Sequence, residues 1–413
     1  MKILFVNHFP LTGSGSGVYT TNLAKSLTDL GHECAIVFPE NRANYEEFEG
    51  IKLYPVFFKN EEEIEDQVNF NFPCFSTHPR STYNFMDMTR GERNEYLEVF
   101  FRNISKAIYD FEPDVIHGQH LWTLSGISAN IAQMQQIPLV VTCHGTDIIG
   151  INNEREKGIN WGTEWAHEAF DYASSIITIS NNNMKLLEEE FGESDKVRLI
   201  KNGINTKVFY KDDKLTREEV LKEFGIENKY DNVISFVGKL TEIKGVDVLL
   251  DALDINDDKN LLTLIAGDGE LREELEKQVK KLNLENVVFL GNLPQDKLQK
   301  IYNIVDCSIV PSRKEAFGLV AAEALACGAP VIATNAGGLG EIVTDDVGML
   351  IPMNDSQTLA SSIKKITSRE VEFDRNKLAI KTKNKYSQDN IVEEVEHIYT
   401  DSLKESINII TIK

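Results

Sequence analysis

The chain has 413 residues, 42% of them hydrophobic and 26% charged, an ordinary globular balance that is long for one α/β domain and comfortable for two. Its formal net charge of −22 argues against general affinity for nucleic acid, so no nucleic-acid partner is expected, while peripheral membrane contact and the oligomeric state stay open. The sequence shows no leader peptide, no apolar run long enough to span a membrane and no C-x-x-C pair among its 5 cysteines, which predicts a cytoplasmic protein.

Short apolar segments alternate with helical patterns through the first half of the chain. These segments are rich in β-branched residues and apolar on both faces, as are strands that helices cover on both sides of a sheet. Helical patterns lie between them, for example at 19–30 and 102–111. The alternation predicts a doubly wound parallel sheet with strands at 3–6, 34–38, 51–57, 115–117, 139–142, 176–179 and 197–200.

A segment of different character, residues 59–93, interrupts this alternation. It opens with an acidic run at 61–66 and continues with several aromatic residues, among them Phe72 and Tyr83. Long irregular insertions are commonly functional, and the aromatic content argues against disorder. The segment is therefore interpreted either as a substrate-contacting loop or as a solvated surface loop.

A second α/β series follows a polar stretch that ends near residue 231. Its strands are predicted at 233–237, 261–266, 287–290, 307–310, 330–333 and 349–351, with helices such as 246–253, 271–282 and 320–327. We therefore predict a protein of class α/β with two Rossmann-like doubly wound domains, residues 1–205 and 206–388. A last helix, about 389–413, has no strand to follow and is expected to pack back on the first domain, although its end, 407–412, is β-prone.

A glycine-rich turn follows the first predicted strand. It reads Gly13-Ser14-Gly15-Ser16-Gly17 and leads into a helix with Tyr19 on its apolar face. Glycine lets a backbone approach a ligand closely, and a helix N-terminus favours an anion. The dinucleotide fingerprint needs a third glycine at a fixed spacing, where this chain has Val18 or Thr20. An NAD site is therefore disfavoured, and the alternative is an ordinary strand-to-helix turn that binds no ligand.

Four of the 8 histidines, His8, His117, His120 and His144, fall at or just past predicted strand ends of the first half. In doubly wound folds, ligands bind beyond the carboxyl ends of the strands. The spacing of three of these histidines with Asp147 suggests a metal site, but no single rigid element holds the four residues. A histidine that hydrogen-bonds to substrate is the favoured hypothesis, and a structural role is the alternative for His117.

Lysines and glycines follow the strand ends of the second half. Gly238 and Lys239 end one strand, and Lys244 precedes the next helix. Paired cations beside a glycine turn suit an anion such as a diphosphate. The segment 267–270, Gly-Asp-Gly-Glu, forms a second strand-to-helix turn. No D-x-D sequence occurs, so the chain lacks the paired acidic ligands that commonly hold Mg²⁺ or Mn²⁺ on a sugar diphosphate.

The strongest local feature begins at Pro311, where a predicted strand gives way to a helix. Backbone N–H groups at the helix start, near Phe317, can hold phosphate or sugar oxygens. Glu315 lies at the mouth of this turn, and Glu323 lies eight residues later in an otherwise apolar helix. A carboxylate in such a helix is costly unless it is paired or binds a ligand. Glu323 is therefore predicted to contact a ligand, with a structural hydrogen bond as the alternative.

These residues together resemble family 4 of the retaining glycosyltransferases, also called glycosyl transferases group 1, over nearly the whole chain. The most specific element is the E-x7-E motif from Glu315 to Glu323. Order and spacing extend the resemblance to residues 144–147, 202–203, 238–245, 267–270, 326–333 and 337–338. The resemblance implies the GT-B fold, in which two Rossmann-like domains face each other across a cleft, and the transfer of a sugar from a nucleotide-sugar donor.

The resemblance also implies residue roles. Lys239, in place of the arginine common in the family, and Lys244 would bind the donor diphosphate and stabilise the leaving group. Glu315 would contact the transferred sugar, and His144 would approach that sugar from the first domain. Glu323 would accept hydrogen bonds from the nucleotide ribose. The other donor-binding residues implied are Gly15, Ser16, Gly17, Gly238, Gly267, Asn292, Leu293, Phe317, Gly318 and Leu319.

The implied reaction moves a hexose or N-acetylhexosamine, with retention at the anomeric carbon, from a UDP-sugar to a sugar, lipid-linked or small-molecule acceptor. No cofactor and no obligatory metal are expected, because lysines and a helix N-terminus face the charge that develops on the leaving diphosphate. Candidate acceptor-side residues are His120, Trp122, Asp147 and Tyr83, with tryptophans stacking on sugar faces or packing in the core. A sugar-nucleotide epimerase, a sugar phosphorylase and a non-catalytic carbohydrate-binding protein are the alternatives.

Overall fold

The computed structural model describes residues 1–59, 64, 66–75 and 78–412, and it describes side chains of the last helix only up to residue 406. Most of the acidic run at 61–66 lies outside the described residues. The chain divides into two compact units, one formed by Met1–Lys201 with Ile391–Lys413 and the other by Asn202–Asn390. Each unit is an α/β domain with its own sheet.

The described part of the first unit contains a parallel sheet in the strand order β3-β2-β1-β4-β5-β6-β7. Every strand predicted for this half is present, with some shifted ends. The strands are β1 (Lys2–Val6), β2 (Glu33–Glu40), β3 (Ile51–Phe57), β4 (Val115–Gln119), β5 (Leu139–Cys143), β6 (Ser175–Thr178) and β7 (Val197–Leu199).

Helices cover both faces of this sheet, as the apolar strands require. Leu4 and Val6 of β1 contribute to one hydrophobic core, and Ile3 and Phe5 contribute to the other. The helices are α1 (Gly15–Asp29), α2 (Arg90–Phe111), α3 (Thr123–Gln135), α4 (Thr146–Lys157), α5 (Trp161–Tyr172) and α6 (Asn181–Phe191).

The insertion at 59–93 is packed against the first sheet rather than solvated. Phe72 and Phe85 are fully buried in one of its cores, and Phe70 and Phe75 are nearly so. The segment ends in a capping box at the start of α2, where Thr89 and Glu92 bond reciprocally to each other's backbone. The surface-loop interpretation is therefore wrong for the described part of this insertion, because its aromatic side chains complete the core.

The second unit repeats the design, and its described residues form a parallel sheet in the order β10-β9-β8-β11-β12-β13. Its strands are β8 (Asn232–Val237), β9 (Leu261–Ala266), β10 (Val287–Gly291), β11 (Cys307–Val310), β12 (Val331–Thr334) and β13 (Gly348–Ile351). Its helices are α7 (Arg217–Glu223), α8 (Val246–Asn256), α9 (Arg272–Lys281), α10 (Gln295–Ile304), α11 (Leu319–Ala326), α12 (Leu339–Ile342), α13 (Ser356–Thr367) and α14 (Arg375–Tyr386).

The last helix, α15 (Gln388–Ile412), returns to the first unit, where Val395 and Tyr399 are buried in the core that contains Ile3 and Phe5. The β-prone residues 407–412 continue this helix, because it is already anchored and each added residue gains a backbone hydrogen bond. Among the described residues, no helix combines the length and the apolar composition that a membrane crossing requires.

Both sheets reverse their strand order beside their first strand, between β1 and β4 and between β8 and β11. In open α/β sheets, such a switch point leaves a crevice outside the carboxyl ends of the strands, and ligands bind there. The loops that follow these four strands are therefore where functional side chains are expected.

Candidate active site

In the second unit, two predicted catalytic residues meet at the switch point. Lys244 Nζ donates to Glu315 Oε2 over 2.6 Å, which joins the loop after β8 to the loop after β11. The side chains remain 24% and 13% exposed, so the pair lies at the surface of its own unit. The structure thus places a cation and a carboxylate together where the sequence predicted a sugar diphosphate.

Arg313 holds the same two loops together, and the sequence analysis did not identify it. Its backbone N–H donates to Ile243 O over 2.7 Å. Its guanidinium donates to both carboxylate oxygens of Asp247, over 3.0 and 2.6 Å, and to Asn354 Oδ1 over 2.6 Å. The two charges of the Arg313–Asp247 pair lie 66 residues apart in the chain, so no local pattern predicts their contact. Arg313 therefore positions the loop that carries Lys244.

Two glycines bring the loop after β11 into backbone contact with its neighbours, the loops after β8 and β12. Gly245 has φ +67°, and a Cβ there would lie 2.1 Å from Pro311 O. Gly337 has φ +53°, and a Cβ there would lie 1.8 Å from Glu315 O, which also accepts from Gly338 N over 3.1 Å. Larger residues at either position would displace the backbone that carries Glu315 or Lys244.

The loop after β8 also joins the loops after β9 and β10. Gly238 N donates to Ala266 O over 3.0 Å, and Gly267 N donates to Gly291 O over 2.7 Å. Gly267 has φ +138°, and a Cβ there would lie 1.9 Å from Gly238 O, so glycine is needed for this close approach. The partly buried Lys239 follows Gly238 directly. Three neighbouring strand ends thus form one continuous edge.

The remaining donor-binding candidates lie along this edge. Asn292 is exposed and Leu293 is half-buried, directly after β10. Gly318, with φ +106°, occupies the N-cap of α11, and no described side chain caps that helix. The first N–H groups of α11, beginning at Leu319, are therefore positioned to bind anionic oxygens. Phe317 is buried and packs edge-on against a tyrosine of α14.

Glu323 lies half-buried in α11, one turn after Leu319. Tyr302, which is fully buried, donates its hydroxyl to Glu323 Oε2 over 3.5 Å. Burial among apolar side chains raises the pKa of Glu323 to about 8. The carboxyl group is thus held in a position where a ligand's hydroxyl groups would relieve the cost of its ionisation.

In the first unit, His144 belongs to a buried cluster of rings and amides at the ends of β1, β4 and β5. Its Nε2 donates to Gln119 Oε1 over 2.9 Å, and its ring lies 4.7 Å from the His120 ring and 5.1 Å from the Tyr19 ring. Burial lowers the pKa of His144 to about 3, so the ring is neutral at physiological pH. It can exchange hydrogen bonds with a substrate but cannot supply a charge there.

Two predicted functional residues of this cluster are structural. Asp147 is fully buried, and its carboxylate accepts from the N–H groups of Leu121 and Gly145 over 2.8 and 2.7 Å. The prediction that Asp147 contacts an acceptor is therefore wrong, because its oxygens are used by the backbone. His117 bonds to Tyr399 Oη over 2.6 Å and to Thr142 Oγ1 over 2.8 Å, which supports the structural alternative.

Two of the residues named in the metal hypothesis for the first unit bond to other groups of the chain. Both His117 nitrogens have partners, and the Asp147 carboxylate is occupied by N–H groups. The described part of the chain contains no group of three or more His, Cys, Asp or Glu side chains arranged to hold a metal ion.

Trp122 and Tyr83 do not form an acceptor platform. Trp122 is fully buried and packs edge-on against Phe75, so the prediction that it stacks on a sugar is wrong. Tyr83 is partly buried and packs on Phe70, and none of its described ring contacts is with the His144 cluster. These aromatic residues complete the core beneath the insertion.

The glycine-rich turn after β1 is absorbed into the first turn of α1. The helix begins at Gly15 rather than at residue 19, because Ser14 Oγ accepts from Gly17 N over 3.0 Å and caps it. Gly17 is buried, and a Cβ there would lie 2.3 Å from Pro10 O, so glycine is needed for packing. Ser16 is also buried, whereas Gly15 is exposed with open space around it.

The sequence matches known proteins over most of its length. The family model Glycosyltransferase Family 4 matches residues 13–208, and the model Glycosyl transferases group 1 matches residues 217–388. An uncharacterized glycosyltransferase of Methanocaldococcus jannaschii is 30% identical over 97% of this chain and 98% of its own length. This chain belongs to glycosyltransferase family 4.

Further comparisons confirm the predicted fold and enzyme class. The N-acetyl-alpha-D-glucosaminyl L-malate synthase of Bacillus anthracis is 27% identical over 97% of both chains. The crystal structure of Anabaena HepE in complex with UDP superposes with a TM-score of 0.75 at 20% identity, covering 97% of this chain and 100% of that one. This family 4 enzyme is thus a glycosyltransferase with the GT-B fold, built from two α/β domains that each contain a parallel sheet.

Proposed function

We propose that this glycosyltransferase moves a hexose or N-acetylhexosamine from a UDP-sugar to a sugar, lipid-linked or small-molecule acceptor, with retention at the anomeric carbon and without a bound metal. The observation that carries the proposal is the Lys244–Glu315 pair at the β8–β11 switch point, with Lys239 on the same loop as Lys244. The HepE complex with UDP supports the choice of nucleotide.

The proposed chemistry needs positive charge on the leaving group. When the bond from the sugar to the diphosphate breaks, negative charge grows on the diphosphate and the sugar becomes oxocarbenium-like. Lys239, Lys244 and the N-terminus of α11 supply fixed charge and dipole for that diphosphate. Removing one preorganised contact to developing charge should cost on the order of 10²-fold in rate.

In the structure, the Glu315 carboxylate accepts a hydrogen bond from the ammonium group of Lys244. A bound diphosphate would share this ammonium group, which leaves the Glu315 carboxylate able to accept hydrogen bonds from hydroxyl groups of the transferred sugar. In this proposal, the ion pair keeps both side chains in position before the donor binds. Glu323 would accept hydrogen bonds from the ribose of the nucleotide.

Nucleotide release from a panel of UDP-, GDP- and ADP-sugars, with divalent metal chelated, tests the proposal. We expect slow release of one nucleotide from one donor, at least tenfold slower in Glu323→Ala. Glu274→Ala, an exposed glutamate on α9, is the matched control and should leave the rate unchanged. The anomeric configuration of the first transfer product, read by proton NMR, tests retention.

Each other outcome contradicts a specific part of the proposal. Release that requires added Mg²⁺ or Mn²⁺ would refute metal independence. A rate that depends on inorganic phosphate would indicate a phosphorylase, and an epimerised donor without an acceptor would indicate an epimerase. No binding and no release from any donor would refute the nucleotide-sugar assignment itself.

A further inference from the structure

Gln119, the last residue of β4, connects the buried histidines of the first unit and keeps an unpaired donor. Its side chain is fully buried. Its Oε1 accepts from His144 Nε2 over 2.9 Å, and its backbone oxygen accepts from His8 Nδ1 over 2.7 Å. Its Nε2 is buried and has no hydrogen-bond partner among the residues that the structure describes. No sequence motif singled out this residue.

A second buried polar atom without a partner belongs to the next residue. His120 is 1% exposed, and its Nδ1 finds no hydrogen-bond partner within the described chain. Its backbone adopts φ +75°, a left-handed conformation that is costly for a residue with a side chain. Buried polar groups are normally paired, so two adjacent exceptions at the end of one strand point to a partner from outside the described chain.

The turn that carries these two atoms is firmly held. His120 N donates to Thr142 O over 2.8 Å, and Ser125 Oγ donates to His120 O over 2.6 Å. Leu121 N donates to Asp147 Oδ2 over 2.8 Å. The surrounding bonds therefore fix a strained backbone, which is typical of preorganised ligand sites.

The charges around Gln119 define the kind of ligand. Burial lowers the pKa of His8 and of His144 to about 3 and lowers that of His120 well below its ordinary value, so all three rings are neutral. The nearby Asp147 carboxylate is occupied by backbone N–H groups. These neutral rings offer no positive charge to a phosphate or carboxylate, whereas a neutral hydroxyl group both accepts from an amide and donates to a ring nitrogen.

We propose that Gln119 Nε2 and His120 Nδ1 form a subsite for a hydroxyl group of a sugar, and that Gln119 Oε1 positions His144 beside it. The subsite rests on the proposed function, because the sugar is either the one transferred or the one that accepts it. Gln119 donates to the hydroxyl oxygen, and the hydroxyl group completes the hydrogen bonding of the strained turn. Gln119 then determines which sugar is accepted.

Deoxygenated substrates combined with a Gln119 variant test the subsite. Once nucleotide release has identified the donor, kcat/KM is measured for that donor and for its singly deoxygenated forms. In the wild-type enzyme, loss of the bound hydroxyl group should lower kcat/KM by about 10- to 100-fold. In Gln119→Met, which lacks both polar atoms, the same loss should be less than about threefold.

The arms of this experiment separate the two sources of the hydroxyl group. Coupling between Gln119 and a deoxygenated donor, seen in donor hydrolysis alone, places the transferred sugar in the subsite. Coupling seen only in transfer to a deoxygenated acceptor places the acceptor there. Ser128→Ala, which removes another fully buried hydrogen-bonding side chain from this unit, is the control and should leave every ratio unchanged.

If each deoxygenation lowers kcat/KM by the same factor in Gln119→Met as in a normally active wild-type enzyme, the two effects are additive. That result would overturn the subsite and leave the proposed function intact. Absence of turnover by the wild-type enzyme with every donor would instead overturn both. Nitrogen NMR of His144 gives an independent readout in the absence of substrate. The Nε2-protonated form should dominate in the wild-type enzyme and should lose that dominance in Gln119→Met, and an unchanged tautomer in that variant would refute the positioning role.

Discussion

Replacing Arg313 tests whether the loops after β8 and β11 act as one unit in catalysis. Arg313→Ala removes a guanidinium that bonds to Asp247 and Asn354 while leaving Lys244 and Glu315 in place. We expect a loss of kcat/KM larger than the loss of folding stability explains, because the lysine loop would no longer be fixed against the glutamate loop.

The expected losses of stability and of kcat/KM in Arg313→Ala follow from the hydrogen bonds that Arg313 makes. The Arg313 side chain donates to both oxygens of Asp247, to Asn354 Oδ1 and to Glu242 O. Each such bond contributes about 0.5–1.5 kcal/mol net. Because Arg313 is 25% and Asp247 is 42% exposed, solvent screening reduces the total to about 2 kcal/mol. A displacement of Lys244 by about 1 Å would cost on the order of 10²-fold in kcat/KM.

Arg217 provides a matched control at the amino ends of the strands of the same sheet, away from the candidate site at their carboxyl ends. Its guanidinium donates to both oxygens of Asp306 over 3.0 and 3.1 Å and to Asp231 O over 2.9 Å. The two side chains are 26% and 28% exposed, close to the values for the Arg313–Asp247 pair. Asp231 and Asp306 directly precede β8 and β11, so this pair lies at the amino ends of the strands. Arg217→Ala should therefore cost similar stability without affecting catalysis.

The assay combines urea unfolding with steady-state nucleotide release for the wild-type enzyme and the two variants. Both variants should lose about 2 kcal/mol of stability, whereas kcat/KM should fall on the order of 10²-fold in Arg313→Ala and less than about threefold in Arg217→Ala. Equal losses of kcat/KM in the two variants would show that Arg313 acts only through stability. An unchanged kcat/KM in Arg313→Ala would show that the loops hold their positions without it.

Three other perturbations act on single groups. Glu323, with a pKa raised to about 8, must ionise to bind a ribose, so calorimetric nucleotide affinity should rise about tenfold from pH 7 to 9 and should stay flat in Glu323→Gln. His117 has a pKa lowered to about 3, so its ring is neutral in the folded protein. Its contribution to the free energy of unfolding is therefore complete above pH 6.5 and is lost as the pH falls towards 3. In urea unfolding, the stability difference between wild type and His117→Gln should shrink by about 2 kcal/mol from pH 7 to 5. Gly337→Ala would place a Cβ 1.8 Å from Glu315 O and should lower kcat/KM at least about tenfold, whereas Gly225→Ala, also at positive φ but with open space, should leave kcat/KM unchanged.

Periodicity and strand-end chemistry predicted the fold because both are local properties. A strand covered on both faces must be apolar along its whole length, and helices must intervene between parallel neighbours. The sequence therefore predicted both sheets, and it predicted a ligand edge from the residues directly after β8 and β11. The Lys244–Glu315 contact follows from two turns that the sequence singled out separately, once the strand order makes them neighbours.

The supports of that edge were not predictable, because they are contacts between distant segments. In the sequence, Asp247 is an ordinary acidic residue in the first turn of α8. Only the structure shows that Arg313, from the loop after β11, bonds to it. Gly337 reads as part of a glycine pair until the structure places it against the Glu315 carbonyl. Trp122 looked suited to stacking on a sugar by its type alone, but the aromatic residues of the insertion enclose it.

Asp147 and Gln119 show what separates a structural polar residue from a functional one in this fold. Gln119 ends β4 and Asp147 lies in the first turn of α4. Both are fully buried, and both contact His144. The carboxylate of Asp147 is occupied by backbone N–H groups, so its hydrogen-bonding capacity serves the turn. Gln119 accepts a hydrogen bond from His144 with its side-chain Oε1, and its Nε2 has no described partner. Residue type pointed to the aspartate, whereas hydrogen-bonding capacity that the chain leaves unused points to the glutamine.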